Sequence, residues 1–595
     1  MNERKQCHNC RRRRLRCDWS VPTCVKCSKT GQRCLGYGQL YRWVDSDTAA
    51  GGGADTNHGK KRHTLAPHTG YLGLISESRG LCAFAKVADE GTQQFVISLA
   101  DPLVQDLNGS SRRYMSYFAS RFCQDLVVYD SAELGTNPFR ELIPMSQTYP
   151  HLQQIIIAVS AVHYYNAVSG PTAQKASSSH VARAMLVDAL YARQKAIRGL
   201  INIIQLNKSS DGREESQADQ DALLATVLFF VNFTLIDSGK EEWQNHLTAA
   251  GRLLSIHGLS TLSLAHVAGN YDSALLPSES RPHPSVSSTY ETISSIDGRV
   301  PLSACDYVAS DTVAYLIWNC ALVSLVSTTS SHQTTADRSH EYASQLLTWD
   351  FAKVLRILSR TEANSYHSCP AYLMTIVLRT AQITQLIKAS GRRSPDTAEM
   401  NEYLRLLREA ETFDVEAWAS RVSTHVVGVL GVTDEHELDG RRHIAAAYRA
   451  AVCLYIWLVA PGIPGRRHHQ RVGSFPTSEG LVSTILRQLS CIRPSSPLFK
   501  FTVWPVFLTG VDAVSDAHRR SVTERLAAMR DLCPWGMLTS ALETLREIWG
   551  VRDEVVGSGD KGTGKGMDGD GESREKERDE WLERLRGLRI DCLIV

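Results

Sequence analysis

Apolar positions recur with a helical period along most of the chain. In HVARAMLVDALYARQKAIRGLINIIQ (180–205), Met185, Ala189, Ala192, Ala196, Leu200 and Ile204 share one face, while Arg183, Arg193, Lys195 and Arg198 fall elsewhere. That period predicts an amphipathic helix. HLQQIIIAVSAVHYYNAV (151–168), ALLATVLFFVNFTLI (222–236), RRHIAAAYRAAVCLYIWLVA (441–460) and SVTERLAAMRDL (521–532) read the same way. Several of these lack a polar face and have to be enclosed by other elements. Strand-like runs such as DLVVY (125–129) are few and short. The expected fold class is all-α, with a large all-helical body over 99–553. No apolar run reads as long enough to cross a bilayer: Asp221 and Asp237 enclose fifteen residues, and Arg449 interrupts the run near 450.

The pattern also shows where the body stops. Residues 45–70, DSDTAAGGGADTNHGKKRHTLAPHTG, are small, polar and rich in glycine, so they bury too little apolar surface to order themselves. A flexible linker is expected over 45–98. Residues 270–300 form a Ser/Pro-rich break, expected as an exposed loop within the body. A Gly-rich spacer follows at 554–572, then a charged C-terminal helix and tail at 573–595. Residues 36–98 hold no a/d repeat sustained over several heptads, with 78–99 the nearest apolar stretch, so the N-terminal 98 residues are expected to be monomeric.

Residues 1–44 have a different texture. CHNCRRRRLRC (7–17) and CVKCSKTGQRC (24–34) write C-x2-C-x6-C twice, with Cys7, Cys10, Cys17, Cys24, Cys27 and Cys34 as the repeated positions. Structural zinc takes four thiolate or imidazole ligands in a tetrahedron, and C-x2-C lets one turn supply two. One zinc would leave two thiols idle. Two zincs need eight ligand places from six sulfurs, so two sulfurs must bridge, and the symmetry of the repeat selects Cys7 and Cys24. No apolar segment of a secretory signal precedes the cysteines, which favours metal over a disulfide framework. No strand–helix alternation surrounds either C-x2-C to support a thioredoxin-like redox pair. His8 is read as solvent-facing.

Charge separates this module from the rest. Residues 1–44 carry eleven lysines and arginines against Glu3 and Asp18, a net +9, or +7 once six thiolates and two dications are included. The whole chain is +2, so the remaining residues carry −7. Such an asymmetry is the electrostatic footprint of a nucleic-acid-binding module. The first repeat holds Arg11, Arg12, Arg13, Arg14 and Arg16 inside a metal-pinned turn, where side-chain directions are fixed.

These spacings, the basic run within the first x6 and Pro22 in the connecting loop resemble the binuclear zinc-cluster domain of fungal transcription factors, typified by the galactose-gene activator. The resemblance implies two Zn2+ ions bridged by Cys7 and Cys24, a short helix after the second cysteine of each half, and double-stranded DNA as partner. It implies Arg14 as the base-reading position, Arg13 acting through its backbone, Leu15 packed inward, and Arg11, Arg12 and Arg16 on phosphates. Most relatives have lysine where this chain has Arg14, and a planar bidentate fork is not a point charge. CGG-like half-sites are the expected targets. DPLVQDLNGSSRRYMSYFASRFCQDLVVYD (101–130), NPFRELIP (137–144), EEWQNHLTAAGRLLSIHG (241–258) and LREIWGVRD (545–553) resemble the all-helical regulatory region of such factors, nearest the acriflavine-sensitivity control protein subgroup. The implied function is a nuclear, zinc-dependent, sequence-specific transcription factor for RNA polymerase II genes, recruiting co-regulators or the transcription machinery. The alternative is a zinc-scaffolded interaction module that meets an acidic partner.

Enzyme-like signals are weak. GDKGTGKG (559–566) approaches a phosphate-binding loop, but Gly566 stands where the magnesium-holding hydroxyl belongs. The histidines of TDEHELDGRRH (433–443) and GRRHHQ (465–470) lack the spacing of a helical zinc site and are assigned to polar loops. Cys82, Cys123, Cys305, Cys320, Cys369, Cys453, Cys491, Cys533 and Cys592 show no metal spacing and are read as small core residues. No catalytic residue is expected.

Overall fold

The computed structural model of the protein describes residues 7, 10, 16–18, 20, 24–30, 106–130, 137–169, 179–209, 216–240, 243–256, 302–326, 349, 351–392, 394–430, 435–460, 476–559, 580–588, 590 and 592–595. The expected linker at 45–98, the break at 270–300, Cys82, residues 465–470 and the glycine-rich stretch beyond Gly559 lie outside them. The described residues fall into two units, 7–30 and 106–595. Among them the regular structure is helical, with two isolated bridges, Val127 to Ser365 and Lys240 to Cys592. The all-α expectation holds. In the first unit Cys10 is helical, and a short helix, α1 (Val25–Lys29), is described in full.

The second unit contains α2 (Gly109–Ser120), α3 (Leu142–Thr148), α4 (Pro150–Ser169), α5 (Ser179–Ser209), α6 (Gln217–Asp237), α7 (Trp243–Ile256), α8 (Ala304–Leu325) and α9 (Phe351–Thr361). It continues through α10 (Ala371–Ala389), α11 (Thr397–Glu411), α12 (Val415–Leu430), α13 (Glu435–Val459), α14 (Ser478–Ser490), α15 (Val503–Asp512), α16 (Asp516–Leu532) and α17 (Met537–Gly559). Reciprocal caps mark three starts: Ser216 with Asp219 on α6, Ser303 with Asp306 on α8, and Asp396 with Glu399 on α11. Each pair satisfies amides that a helix start leaves open.

Helices α6 and α8 are apolar on nearly all sides, and both are enclosed. The membrane expectation needs correction, because both are long and apolar enough to cross a bilayer. Their residues are instead mostly buried among other helices, which is how an apolar helix also appears in a globular core. Helix α8 packs against α6, α7, α9, α10 and α13, and α13 gathers α11, α12, α14 and α15 around itself.

DLVVY is not a strand. A 3-10 turn, Phe122–Asp125, leads into Val127, whose isolated bridge to Ser365 joins a second irregular segment, TEANSYHSCP (361–370). All ten of those residues are buried. Irregular chain inside a protein must find partners for its polar groups. Here Asn364 accepts from Tyr129 N at 2.7 Å and donates to Tyr129 O at 3.2 Å. Glu362 accepts from Ala371 N at 2.9 Å and faces Arg421 at 2.8 Å. Trp318 Nε1 donates to His367 Nδ1 at 2.9 Å, and Thr361 Oγ1 donates to Ser310 Oγ at 2.6 Å.

The helix expected from 441 is present, and it starts earlier: residues 435–440 and His443, assigned to a polar loop, belong to α13. The reason is Arg441, fully buried, which donates to Ser368 Oγ at 2.7 Å and Ala363 O at 2.5 Å and stacks over Tyr129. Helix α17 also runs on to Gly559, into the stretch read as spacer, because Val555 continues its buried face. Residues 580–587 are helical and Cys592–Val595 are buried, so this charged tail packs on the body. Arg552 lies 4.1 Å from the centroid of the buried Trp581, and Leu593 N donates to Gly239 O at 3.0 Å. Among the body cysteines, Cys123, Cys320, Cys369, Cys453, Cys533 and Cys592 are buried and Cys305 is partly so. Cys491 departs from the core reading, since it is exposed at the end of α14.

A buried carboxylate joins distant parts of this body. Asp125 Oδ1 meets Arg121 Nη1 at 2.5 Å and Lys500 Nζ at 3.6 Å, and Asp125 Oδ2 accepts from His163 Nε2 at 2.8 Å and Cys533 Sγ at 3.5 Å. Tyr117 donates to His163 Nδ1 at 2.9 Å, completing a chain of hydrogen bonds. Burial alone would raise the Asp125 carboxyl, but Arg121, Lys500 and the His163 hydrogen bond outweigh it and hold the group well below the usual range. Asp125→Asn keeps the shape and removes the charge, leaving the half-buried Arg121 and Lys500 without their counter-ion. It is expected to cost about 3–5 kcal/mol in urea unfolding of the whole chain; a loss near zero would show that the hub is dispensable.

Acid is expected to destabilise the body. Burial pushes His163 down and pushes His367 down to about 3, so both are neutral when folded. The unfolded chain takes up protons first as pH falls below about 6.5, and stability falls with it. Each such histidine contributes a slope of up to about 1.4 kcal/mol per pH unit until its folded value is reached. Urea midpoints measured between pH 7 and pH 5 should fall; a flat profile would contradict neutral burial.

Candidate metal centre

The first unit has a core made of sulfur. Cys7, Cys10, Cys17, Cys24 and Cys27 are all nearly inaccessible and form their own cluster. Cys7 Sγ and Cys24 Sγ are 3.6 Å apart, Cys10 Sγ and Cys24 Sγ 3.7 Å, and Cys7 Sγ and Cys27 Sγ 3.9 Å. The sulfurs of Cys7, Cys10, Cys17 and Cys24 all lie within 4.8 Å of one another. A tetrahedron with zinc–sulfur bonds of about 2.3 Å has edges of about 3.8 Å, so the donor set fits the metal. Cys7 and Cys24 stand between the halves, each near a sulfur of the other repeat.

The two repeats are held alike. Cys10 N donates to Cys7 Sγ, and Cys27 N donates to Cys24 Sγ, both at 3.4 Å. These backbone hydrogen bonds orient the sulfurs and favour the thiolate form. Burial, only partly offset by the Cys27 amide, leaves the Cys24 thiol pushed up to about 12, and burial raises Cys10 as well. A dication in contact reverses that preference, because it stabilises the deprotonated sulfur directly.

Helix α1 begins directly after Cys24 and contains Cys27, rather than following the second cysteine of its half. Its N-terminal amides explain this. Cys24 Sγ takes the cap position, and Asp18 accepts from Val25 N at 3.0 and 3.1 Å. Ser20 Oγ donates to the same carboxylate. The Ser20 hydroxyl and the Val25 amide hold Asp18 down to about 2. Asp18 therefore ties the segment after Cys17 to the helix of the second repeat. Sequence reasoning counted it only as a charge, although one acidic residue amid so many bases was a usable signal. Arg16, Lys26 and Lys29 are exposed, the lysines on α1. Cys34, Arg11, Arg12, Arg13, Arg14 and Leu15 lie outside the described residues.

The body supplies no second centre of this kind among the described residues. Its Tyr117–His163–Asp125 chain has the form of a proton relay, but His163 is fully enclosed and its carboxylate is neutralised by cations. Burial also suits a structural role better than contact with a substrate.

Comparison with known proteins follows the same division. Residues 5–43 match the fungal Zn(2)-Cys(6) binuclear cluster domain, and residues 113–587 match the fungal specific transcription factor domain. The second match reaches past the body expected at 99–553 and takes in the helix at 580–587. The chain is 26% identical to the acriflavine sensitivity control protein acr-2 of Neurospora crassa over 674 aligned positions, covering 99% of this chain and 97% of the relative. No solved structure matches it. The domain pair is that of DNA-binding transcription regulators, not enzymes, and its cluster domain binds two zinc ions. The chain belongs to the fungal transcription factors in which a Zn(2)-Cys(6) binuclear cluster precedes a fungal specific transcription factor domain.

Proposed function

We propose that the N-terminal module reads CGG-like half-sites in double-stranded DNA and that the protein regulates RNA polymerase II genes in the nucleus. One zinc is held by Cys7, Cys10, Cys17 and Cys24, the other by Cys7, Cys24, Cys27 and Cys34. The observation that carries this assignment is the 3.6 Å approach of Cys7 and Cys24, with Cys10 and Cys27 on either side. Zinc supplies the module's folding energy, since sulfur replaces an apolar core. The thiolates hold the turn that carries the arginines. Arg14 grips guanine O6 and N7 with its fork, while Arg11, Arg12 and Arg16 hold phosphates, and Arg13 positions the chain through its backbone. The exposure of Arg16 supports its place among the phosphate contacts. The helical body recruits co-regulators or the transcription machinery.

Elemental analysis of the full-length protein is expected to give two zincs per chain. A value of one would remove the bridged assignment. Chelation should abolish DNA binding while the helicity of 106–559 is largely retained.

The arginine roles separate by substitution. Arg14→Ala should cost about 1–3 kcal/mol on the preferred duplex and relax selection at one base position. Arg16→Ala should weaken all duplexes alike and lower the salt slope by about one unit. Selection from a random duplex pool with the full-length protein checks both. An unchanged ranking for Arg14→Ala would reassign the base reader. Equal binding to an acidic polypeptide and to any duplex would favour the interaction-module alternative.

A further inference from the structure

Helix α5 has two apolar faces, and among the described residues only one is packed against another helix. Ala182, Met185, Ala189, Ala192 and Ala196 are buried, and α5 packs along α4. On the other side Val187, Leu190, Tyr191 and Ile201 are 58, 49, 58 and 46% exposed. With Val181, also exposed, α5 holds five of the nine exposed large apolar side chains among the described residues. The outward positions Val187, Leu190, Gln194, Ile197 and Ile201 are spaced three, four, three and four apart, which is the a/d spacing of a helix seam. A surface apolar patch of this kind marks an interaction site.

The charges on the same side define the occupant. Among the described α5 side chains Arg183, Lys195 and Arg198 are exposed, and all three are positive. Lys195 Nζ lies 4.4 Å from the Tyr191 ring centroid, at the edge of the stripe. The one acid, Asp188, is turned away and accepts from Tyr114 OH at 2.9 Å. Arg193 is likewise turned inward, over Phe233 at 5.3 Å. A second copy of this face would bring cation against cation with no carboxylate to pair them. The complement of an apolar a/d seam flanked by bases is an apolar a/d seam flanked by acids. We infer that the outward face of α5 docks an amphipathic helix of a partner protein, apolar along its seam and acidic at its flanks. The site lies on the body and does not depend on how the zinc module reads DNA.

The probe is a labelled 21-residue peptide with leucine at a and d and glutamate at e and g, titrated against the full-length protein and read by anisotropy. Its control carries lysine in place of every glutamate. The acidic peptide should bind, weaken as salt rises, and lose about tenfold or more in affinity with Leu190→Glu or Ile201→Glu. Leu386→Glu, at an exposed position on α10, should leave binding unchanged. Arg198→Glu keeps the apolar seam and should weaken the acidic peptide while admitting the lysine peptide, so the charge argument stands or falls even if the seam variants fold poorly. Equal binding of both peptides, or of neither, overturns the proposal. It is also overturned if sedimentation shows a dimer that Leu190→Glu dissolves, if anionic vesicles bind the face in place of the peptide, or if side-chain footprinting shows Leu190 and Ile201 already covered in the free chain.

Discussion

Asp125 imposes a condition that much of the body has to meet. A carboxylate taken out of water is tolerable only among cations and donors, and the groups that meet this one come from far apart in the chain. Arg121 is one turn away, His163 comes from α4, Lys500 from the turn before α15, and Cys533 from the end of α16. Satisfying it brings the N-terminal helices of the body against its C-terminal ones. Aromatic packing follows the same route: Phe122 stacks on Trp535, and Trp535 on Tyr366. The irregular segment 361–370 thereby comes to rest between helices that are hundreds of residues apart in sequence. Charge fixes the meeting point, and apolar burial around it supplies most of the driving force.

The small module solves the opposite problem. It is too short to enclose an apolar interior, so the same thiols form its core, cap its helix and stand close enough together to share a metal. Cys24 shows all three roles at once, buried, capping α1, and in contact with Cys7 and Cys10. Fold and metal content are therefore one variable in this unit. Among the described residues of the body no such sulfur cluster occurs, and the two parts of the protein should respond to chelators and to acid in different ways.

What was legible in the sequence was what depends on nearby residues. Helical period identified α4, α5, α6, α13 and α16, and spacing alone brought the cysteines together. What was not legible depends on partners far away. No apolar period marks TEANSYHSCP as core, and its enclosure shows only once Asn364 is seen to pair with Tyr129, 235 positions distant. The stretch at 435–440 has no apolar period of its own, and it joins α13 just before Arg441, which reaches Ser368 and Ala363. Periodicity picked out the buried face of α5 and passed over its outward one, because a helix with apolar residues on two sides looks much like one with a single broad face. Asp18 was overlooked for a related reason: its partner, Val25 N, belongs to the other repeat.

The buried segment also constrains how such a chain can drift over time. Each residue of 361–370 is enclosed, and several of its polar groups are matched to fixed points on α8, α13 and the turn at 125–130. An inserted or deleted residue there would shift every later pairing by one position, with no surface to absorb the slack. The span between α9 and α10 therefore behaves as a ruler. Its length should persist after its letters have changed.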